Sequence, residues 1–349
     1  MPSNRVLLTS LALTMLACTS EETATEPSSD GTSALVAAAA YTAVDLGTLG
    51  GGSAIARGIN PAGQVVGESF LEGTSSFHAF LWEKGVMTDL GTLPLGQFSG
   101  ARGINPAGRV VGFSHGGPFA VVWDDGVLTE LSTEAAFPSV ANAINPSGQV
   151  VGSFRSGLRE HAFLWDKGVL TDLGSLGGDL VNSVARAINP AGQVVGSSNT
   201  LSGERHAVLW SKGVITDLGT LGGDRSDATG ISAAGQVVGS SLTASGEIHA
   251  FLWSNGVMTD LGNQGGPLSV ATGINAAGQV VGYTGPDVLE GEEPPVGQRA
   301  FVWHKGVMTV LGTLGGSYSR AFGINSAGEI VGTSLTAGGE THATLWTRK

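Results

Sequence analysis

Cysteine is nearly absent from this sequence: 349 residues contain one, Cys18. No disulfide framework can therefore hold the fold together. Charge is also scarce. Charged residues make up 13% of the chain, against about 25% in an ordinary soluble domain. What charge there is runs acidic, with a net charge of −12 and a sequence pI of about 4.9. No basic stripe exists, which argues against the phosphate backbone of a nucleic acid as a partner. The apolar run from Val6 to Leu16 is too short for a membrane-spanning helix. Enzyme signatures are missing as well. "GTLGGGS" lacks the Gly-Lys-Ser/Thr of a phosphate loop, and there is no nucleophile elbow and no His-Glu-x-x-His. No cofactor is expected.

Glycine is plentiful, at 56 residues, and apolar residues are 41% of the chain. That composition suits short strands and tight turns around a sizeable core. A self-similar pattern accounts for it. "GINPAGQVVG" and its variants recur with Ile at 59, 104, 144, 188, 231, 274 and 324. The seven tryptophans fall one per copy, at 82, 123, 165, 210, 253, 303 and 346. Each copy holds four strand signals: "SVARAI", then "QVVGSS" after an Asn-Pro-Ala-Gly turn, then "HAFLW", then "VMTDLG" after a tight Gly turn. Four-stranded units of about 43 residues are the size of propeller blades. We therefore expect an all-β fold: a seven-bladed β-propeller of four-stranded antiparallel blades over 41–349.

The ends of the chain predict how the ring closes. After Trp346 no fourth strand follows. Residues 41–47, "YTAVDLG", form a fourth strand with no third strand before it. The expectation is that 41–47 pairs in the last blade, since an open ring would leave bare strand edges. A pairing rule supports this. His78, His161, His206 and His249 are each followed eleven residues later by Asp89, Asp172, Asp217 and Asp260. Copies without the His, at Phe119 and Arg299, also lack the Asp. His342 has no such residue ahead of it, but the closing strand would offer Asp45.

These ten residues read as buried structural hydrogen bonds between the third and fourth strands. A two-residue turn would set each pair directly opposite, and a three-residue turn would shift it by one. Equivalent His in neighbouring blades would lie on the order of 15 Å apart, too far for one shared metal ion. A catalytic dyad would be repeated five times with no consistent nucleophile beside it. The tryptophans read as core between blades instead of sugar-stacking platforms. Arg57, Arg102 and Arg186 sit where the channel lining would be, but their equivalents Asn142, Thr229, Thr272 and Phe322 make no ring of charge.

The start of the chain, "MPSNRVLLTSLALTMLACTS", has Arg5, an apolar stretch and a small-residue site. Met15-Leu16-Ala17-Cys18 resembles the lipobox of bacterial lipoproteins, although Met15 stands where Leu is usual. That resemblance implies a signal peptide over 1–17, a lipidated Cys18 and a disordered tether over 18–40, roughly 25 Å in coil span. The alternative is an ordinary secretory signal. "HAFLW" with "GINPAGQVVG" and "DLGTLGG" resembles the HAF-type bacterial extracellular repeat. The resemblance covers the whole of 41–349 and implies export and a propeller, with no activity to carry over. The double Gly and late Trp are also similar to kelch repeats, and the four-strand period to WD repeats.

Function is expected on loops that vary between copies. The turns within "NPAG" and "KGV" hardly change, whereas the links between second and third strands do. The longest is 283–298, with Asp287, Glu290, Glu292 and Glu293; it reads either as a binding loop or as a solvated insertion. "GGDRSD" at 222–227 hints weakly at calcium but lacks the ligand pattern of a dedicated loop. The expectation is a non-catalytic scaffold, exported and held at an outer membrane or cell surface through a lipid anchor only. It would be monomeric and bind a protein or glycan. A hydrolase or lyase at the channel mouth, or a structural envelope protein, are the alternatives.

Overall fold

The computed structural model describes residues 41–115, 118–131, 138–286 and 297–349. Cys18 and the proposed signal and tether lie outside these residues, as do Asp287, Glu290, Glu292 and Glu293. Among the described residues the chain is all-β, with a single helical turn at Gly178–Leu180.

The strands assemble into four-stranded antiparallel units. The first consists of Gly50–Ile59, Val65–Leu71, Phe77–Glu83 and Val86–Asp89. Five further units repeat this order over 98–130, 139–172, 183–217, 222–260 and 268–310. The seventh has Gly315–Ile324, Ile330–Thr336 and Thr341–Arg348. Its fourth place is occupied by Tyr41–Gly47, which runs antiparallel to Thr341–Arg348 with Ala43 opposite Trp346 and Asp45 opposite Thr344.

Why the repeat reads "A-x-G/A-I-N-P-A-G-Q-V-V-G" follows from packing. Alternation sends the two valines of the second strand to opposite faces of the sheet. Val66 packs toward the second unit, with Ala79, Ala101, Val110, Val121 and Trp123. Val65 packs the other way, with Ala54 and Phe80 of its own unit and with Leu46, Val331, Ala343 and Leu345. Each such cluster is shared by two successive units, so no sheet buries its faces alone. Burial of each valine contributes about 2 kcal/mol.

The glycine after the valines is needed for close approach. A Cβ on Gly196 would sit 1.9 Å from the carbonyl oxygen of Val184 on the first strand. The cause is a β-bulge in the first strand, present in all seven units. In the fourth unit Ala185 pairs with Gly196 and Ala187 with Val195, which leaves Arg186 unpaired. The same bulge leaves out Arg57, Arg102, Asn142, Thr229, Thr272 and Phe322. Bulges re-aim side chains, and here they set one non-ladder residue per unit on the innermost strand.

The first-to-second and third-to-fourth turns share one side of each unit, here called the turn face. The remaining links share the other, the loop face. On the turn face the third and fourth strands are joined by two residues. Lys84 and Gly85 both have positive φ, at 50° and 88°, and Glu83 pairs with Val86. This is the type I′ hairpin geometry that matches strand twist. The three-residue alternative is not adopted.

The asparagine that opens each "NPAG" turn does more than start a turn. Asn145 Oδ1 accepts from the backbone N–H of Ser147 and Gln149, at 3.1 and 3.0 Å. Its Nδ2 donates to Gln149 Oε1 at 2.8 Å and to the carbonyl of Asn189 in the next unit at 3.3 Å. All four hydrogen-bonding capacities of a buried amide are thus used. The inter-unit bond recurs from Asn60, Asn105, Asn189 and Asn275 at 3.1–3.5 Å. Asn325 Nδ2 donates to the carbonyl of Asn60 at 3.2 Å, bringing together residues 265 apart in sequence. The fifth unit has Ser232 in this place, and the link from it to Asn275 is missing among the described residues.

Candidate binding site on the loop face

The five His–Asp pairs lie toward the loop face, where the third strand begins and the fourth ends. His78 Nδ1 is 2.8 Å from Asp89 Oδ2, and His161 Nδ1 is 3.0 Å from Asp172 Oδ2. His206–Asp217 and His249–Asp260 are both 2.7 Å. His342 Nδ1 reaches Asp45 Oδ2 at 2.8 Å across 297 residues. Two features of the sequence reading need correction. The pairs are diagonal, not directly opposite: Asp89 pairs with Phe80, two residues along from His78. They are also not buried, because the Asp side chains are 40–43% exposed. The carboxylate has a second task that the sequence reading missed. Asp172 Oδ1 accepts from the N–H of Gly174 at 2.8 Å, and Gly174 has φ of 73°. The same contact occurs at Gly47, Gly91, Gly219 and Gly262. "Asp-Leu-Gly" is therefore an Asx-capped turn that ends the fourth strand, with the His as a further donor.

The tryptophans pack between units, in two grades. Trp123, Trp210 and Trp346 are buried and donate their indole N–H to Leu90, Gly174 and Gly312 carbonyls of the preceding unit. Trp82, Trp165, Trp253 and Trp303 are half-buried at the edges of the core clusters.

Cavities open on the loop face. One of about 500 Å³ lies between Arg225, Asp227, Tyr283, Gln298 and Arg320. It touches both ends of the long 283–298 link, whose acidic residues lie outside the described region. One of about 380 Å³ is lined by Pro138, Arg155, Leu158, Glu160 and Asn182. Beside it, one of about 360 Å³ includes Arg102, Asn142, Glu160, Asn182, Arg186 and Arg205. Several of the most exposed leucines, Leu95, Leu158, Leu180 and Leu201, also lie on loop-face links.

The bulged residues of the first strands decide the chemistry here. Three of them bond to the next unit: Asn142 Nδ2 to Ala185 O at 2.8 Å, Thr229 Oγ1 to Ala271 O at 2.7 Å, and Thr272 Oγ1 to Ala321 O at 2.9 Å. Arg57 is satisfied differently, by Glu68 at 2.6 Å, with its guanidinium over the Phe322 ring. Arg102 and Arg186 make no hydrogen bond or ion pair with any described residue. Arg102 stacks on Phe113, at 5.3 Å from its centroid, and its Nε is buried without a partner. Arg186 is exposed to water, whereas Arg102 is half-buried. Desolvation lowers both pKa values from the usual arginine range. Glu68 offsets this for Arg102 and Asp227 for Arg186, while neighbouring arginines add to it.

At 222–227, where the sequence hints at calcium, one carboxylate is already paired. The carboxylate of Asp227 is engaged by Arg205 and Arg225. Among the described residues no three His, Cys, Asp or Glu side chains converge to hold a metal ion.

No family model matches the chain, and no curated protein matches its sequence. Solved structures do match in shape. The β-propeller domain of the Trilobed protease from Pyrococcus furiosus, with an open velcro topology, superposes with a TM-score of 0.54 at 9% identity, covering 85% of this chain and 95% of that one. The fold is a β-propeller. YCF48 bound to D1 peptide matches with a TM-score of 0.52 at 10% identity, over 88% of this chain and 94% of that one. A Mycobacterium tuberculosis puromycin-hydrolyzing peptidase matches with a TM-score of 0.53 at 12% identity; the likeness takes in 87% of this chain and 55% of that one, about half its length. At these identities the likeness is one of fold.

Proposed function

We propose that this chain is a non-catalytic binding scaffold: a seven-bladed propeller closed by residues 41–47, with the loop face as its recognition surface. Its ligand is a protein or a glycan. Pairing of Tyr41–Gly47 with Thr341–Arg348 and the Asn325–Asn60 bond support closure. YCF48, of the same fold, is seen with a bound peptide. The HAF-type repeat, the signal-like start and Cys18 support export and anchoring at an outer membrane or cell surface, as a lipoprotein.

The observation that carries the reading is the asymmetry of the two faces. The loop face has neighbouring cavities, two arginines without a side-chain partner and exposed leucines over the second to fourth units, whereas the turn face exposes one valine per hairpin, alike in every copy. That combination of apolar anchors and unsatisfied donors is what recognition surfaces present. The 283–298 link borders a separate cavity, at Tyr283 and Gln298.

The test is a surface-plasmon screen of the full chain against purified envelope proteins and glycans. Each hit is re-measured with Leu158→Glu/Leu201→Glu on the loop face and with Lys167→Glu/Lys212→Glu on the turn face. The loop-face pair should weaken binding about tenfold or more, a loss of about 1.4 kcal/mol, and the turn-face pair should not. The reverse pattern would overturn the assignment.

A further inference from the structure

Among the described residues, Arg102 and Arg186 are the only polar bulged residues whose side chains make no hydrogen bond or ion pair, and both line one cavity of about 360 Å³. The charge around them is locally reversed. In a chain of net charge −12, the five guanidinium groups of Arg57, Arg102, Arg186, Arg205 and Arg225 meet only Glu68, Glu160 and Asp227. Arg57 is committed to Glu68, and Arg205 and Arg225 to Asp227. Arg102 and Arg186 are left to attract an anion from solution.

The same cavity also holds a free acceptor and a free neutral donor. Glu160 Oε1 accepts from Ser153 Oγ at 2.6 Å, which leaves its other oxygen open. Asn182 Oδ1 accepts from the N–H of Glu160 at 3.0 Å, which leaves its amide N–H groups open. A bare polyanion would meet Glu160 and be repelled. A ligand with one carboxylate and several hydroxyls would satisfy both sets: the carboxylate on the guanidinium forks, the hydroxyls on Glu160 and Asn182. The volume falls at the small end of ordinary ligand sites, enough for one sugar ring.

We propose that the cavity between Arg102, Glu160, Asn182 and Arg186 binds a hydroxylated carboxylate, the chemistry of a uronic acid residue in an acidic glycan. This rests on the reading of the loop face as the recognition surface and selects its glycan branch. Arg186, the more open of the two, takes the carboxylate, and Arg102 holds it by charge.

The test uses the full chain and three probes: galacturonate, galactose and inorganic phosphate, by titration calorimetry at low salt. Galacturonate should bind at least about tenfold tighter than galactose or phosphate. Raising the salt to about 0.5 M should weaken it severalfold. Arg186→Gln and Arg102→Gln should each weaken it about tenfold, while Lys167→Ala on the turn face leaves it unchanged. Equal binding of galacturonate and galactose, tighter binding of phosphate, or undiminished binding by folded arginine variants would each overturn the proposal. If a variant fails to fold, the wild-type chain answers instead: galacturonate, but not galactose, should protect Arg186 from phenylglyoxal. Equal modification sinks the assignment. The two readings fail separately. A partner that survives Arg186→Gln but not the loop-face leucine changes refutes the cavity alone. Galacturonate binding with no loop-face dependence of any larger partner refutes the scaffold reading alone.

Discussion

The two faces of each unit use the same backbone and opposite rules. On the turn face, one buried asparagine per unit meets the next in six of seven places, and each turn from third to fourth strand runs through two residues of positive φ. What stays exposed there among large apolar residues is one valine after each hairpin, from Val86 to Val307, alike in every copy. On the loop face the links differ in length and sequence, and polar groups remain unmatched at Arg102 and Arg186. On the proposed reading, the turn face carries stability and the loop face carries specificity. Substitutions should separate the two, with large effects on folding at one face and on binding at the other.

The largest effect on folding is expected at Asn145→Ala. It deletes five hydrogen bonds of a residue that is 1% exposed, and orphaned donors and acceptors cost about 3 kcal/mol together. Urea denaturation measures it; a loss under about 1 kcal/mol would contradict the role given to the asparagine links. Next comes Asp172→Ala, which removes both the Gly174 cap and the His161 partner and should cost about 1 kcal/mol. Asp45→Ala should cost no less, because its pair joins Tyr41–Gly47 to Thr341–Arg348; a neutral result there would argue against closure. Ser232→Asn should go the other way. It supplies the missing link of the fifth unit and should stabilise by about 1 kcal/mol. A smaller gain, about 0.5 kcal/mol, is expected from Lys167→Asn, since Lys167 has φ of 50° and Asn tolerates that region better. Last, Arg186→Gln should leave stability within about 0.5 kcal/mol. Thermal melts check these, and a large loss at Arg186 would make it a structural residue instead.

Much of the turn face was legible beforehand. "NPAG" announced a turn and "KG" a tight hairpin, and toward the loop face the His–Asp spacing announced the partner of His342. The diagonal offset was not, because spacing alone cannot say which turn residue begins the ladder. The second bond of Asn145 was also invisible, since it ends on a carbonyl in a different copy. The loop face was harder to read. Length and acidity drew attention to 283–298, whereas Arg102 and Arg186 looked like two members of an incomplete ring.

The sequence by itself determined the all-β composition, the period, the position of each turn and the kinship of 41–47 with the fourth strands. These are local: Gly, Pro and Asn act through their own φ and ψ, and alternation sorts apolar residues to the two faces of a strand. Tertiary structure alone decided which polar groups would be satisfied. Asn142, Arg102 and Arg186 occupy the same bulge in three different units. One reaches a carbonyl of the next unit and the others do not, because side-chain length and the neighbouring sheet, not the local sequence, set what lies within hydrogen-bond reach.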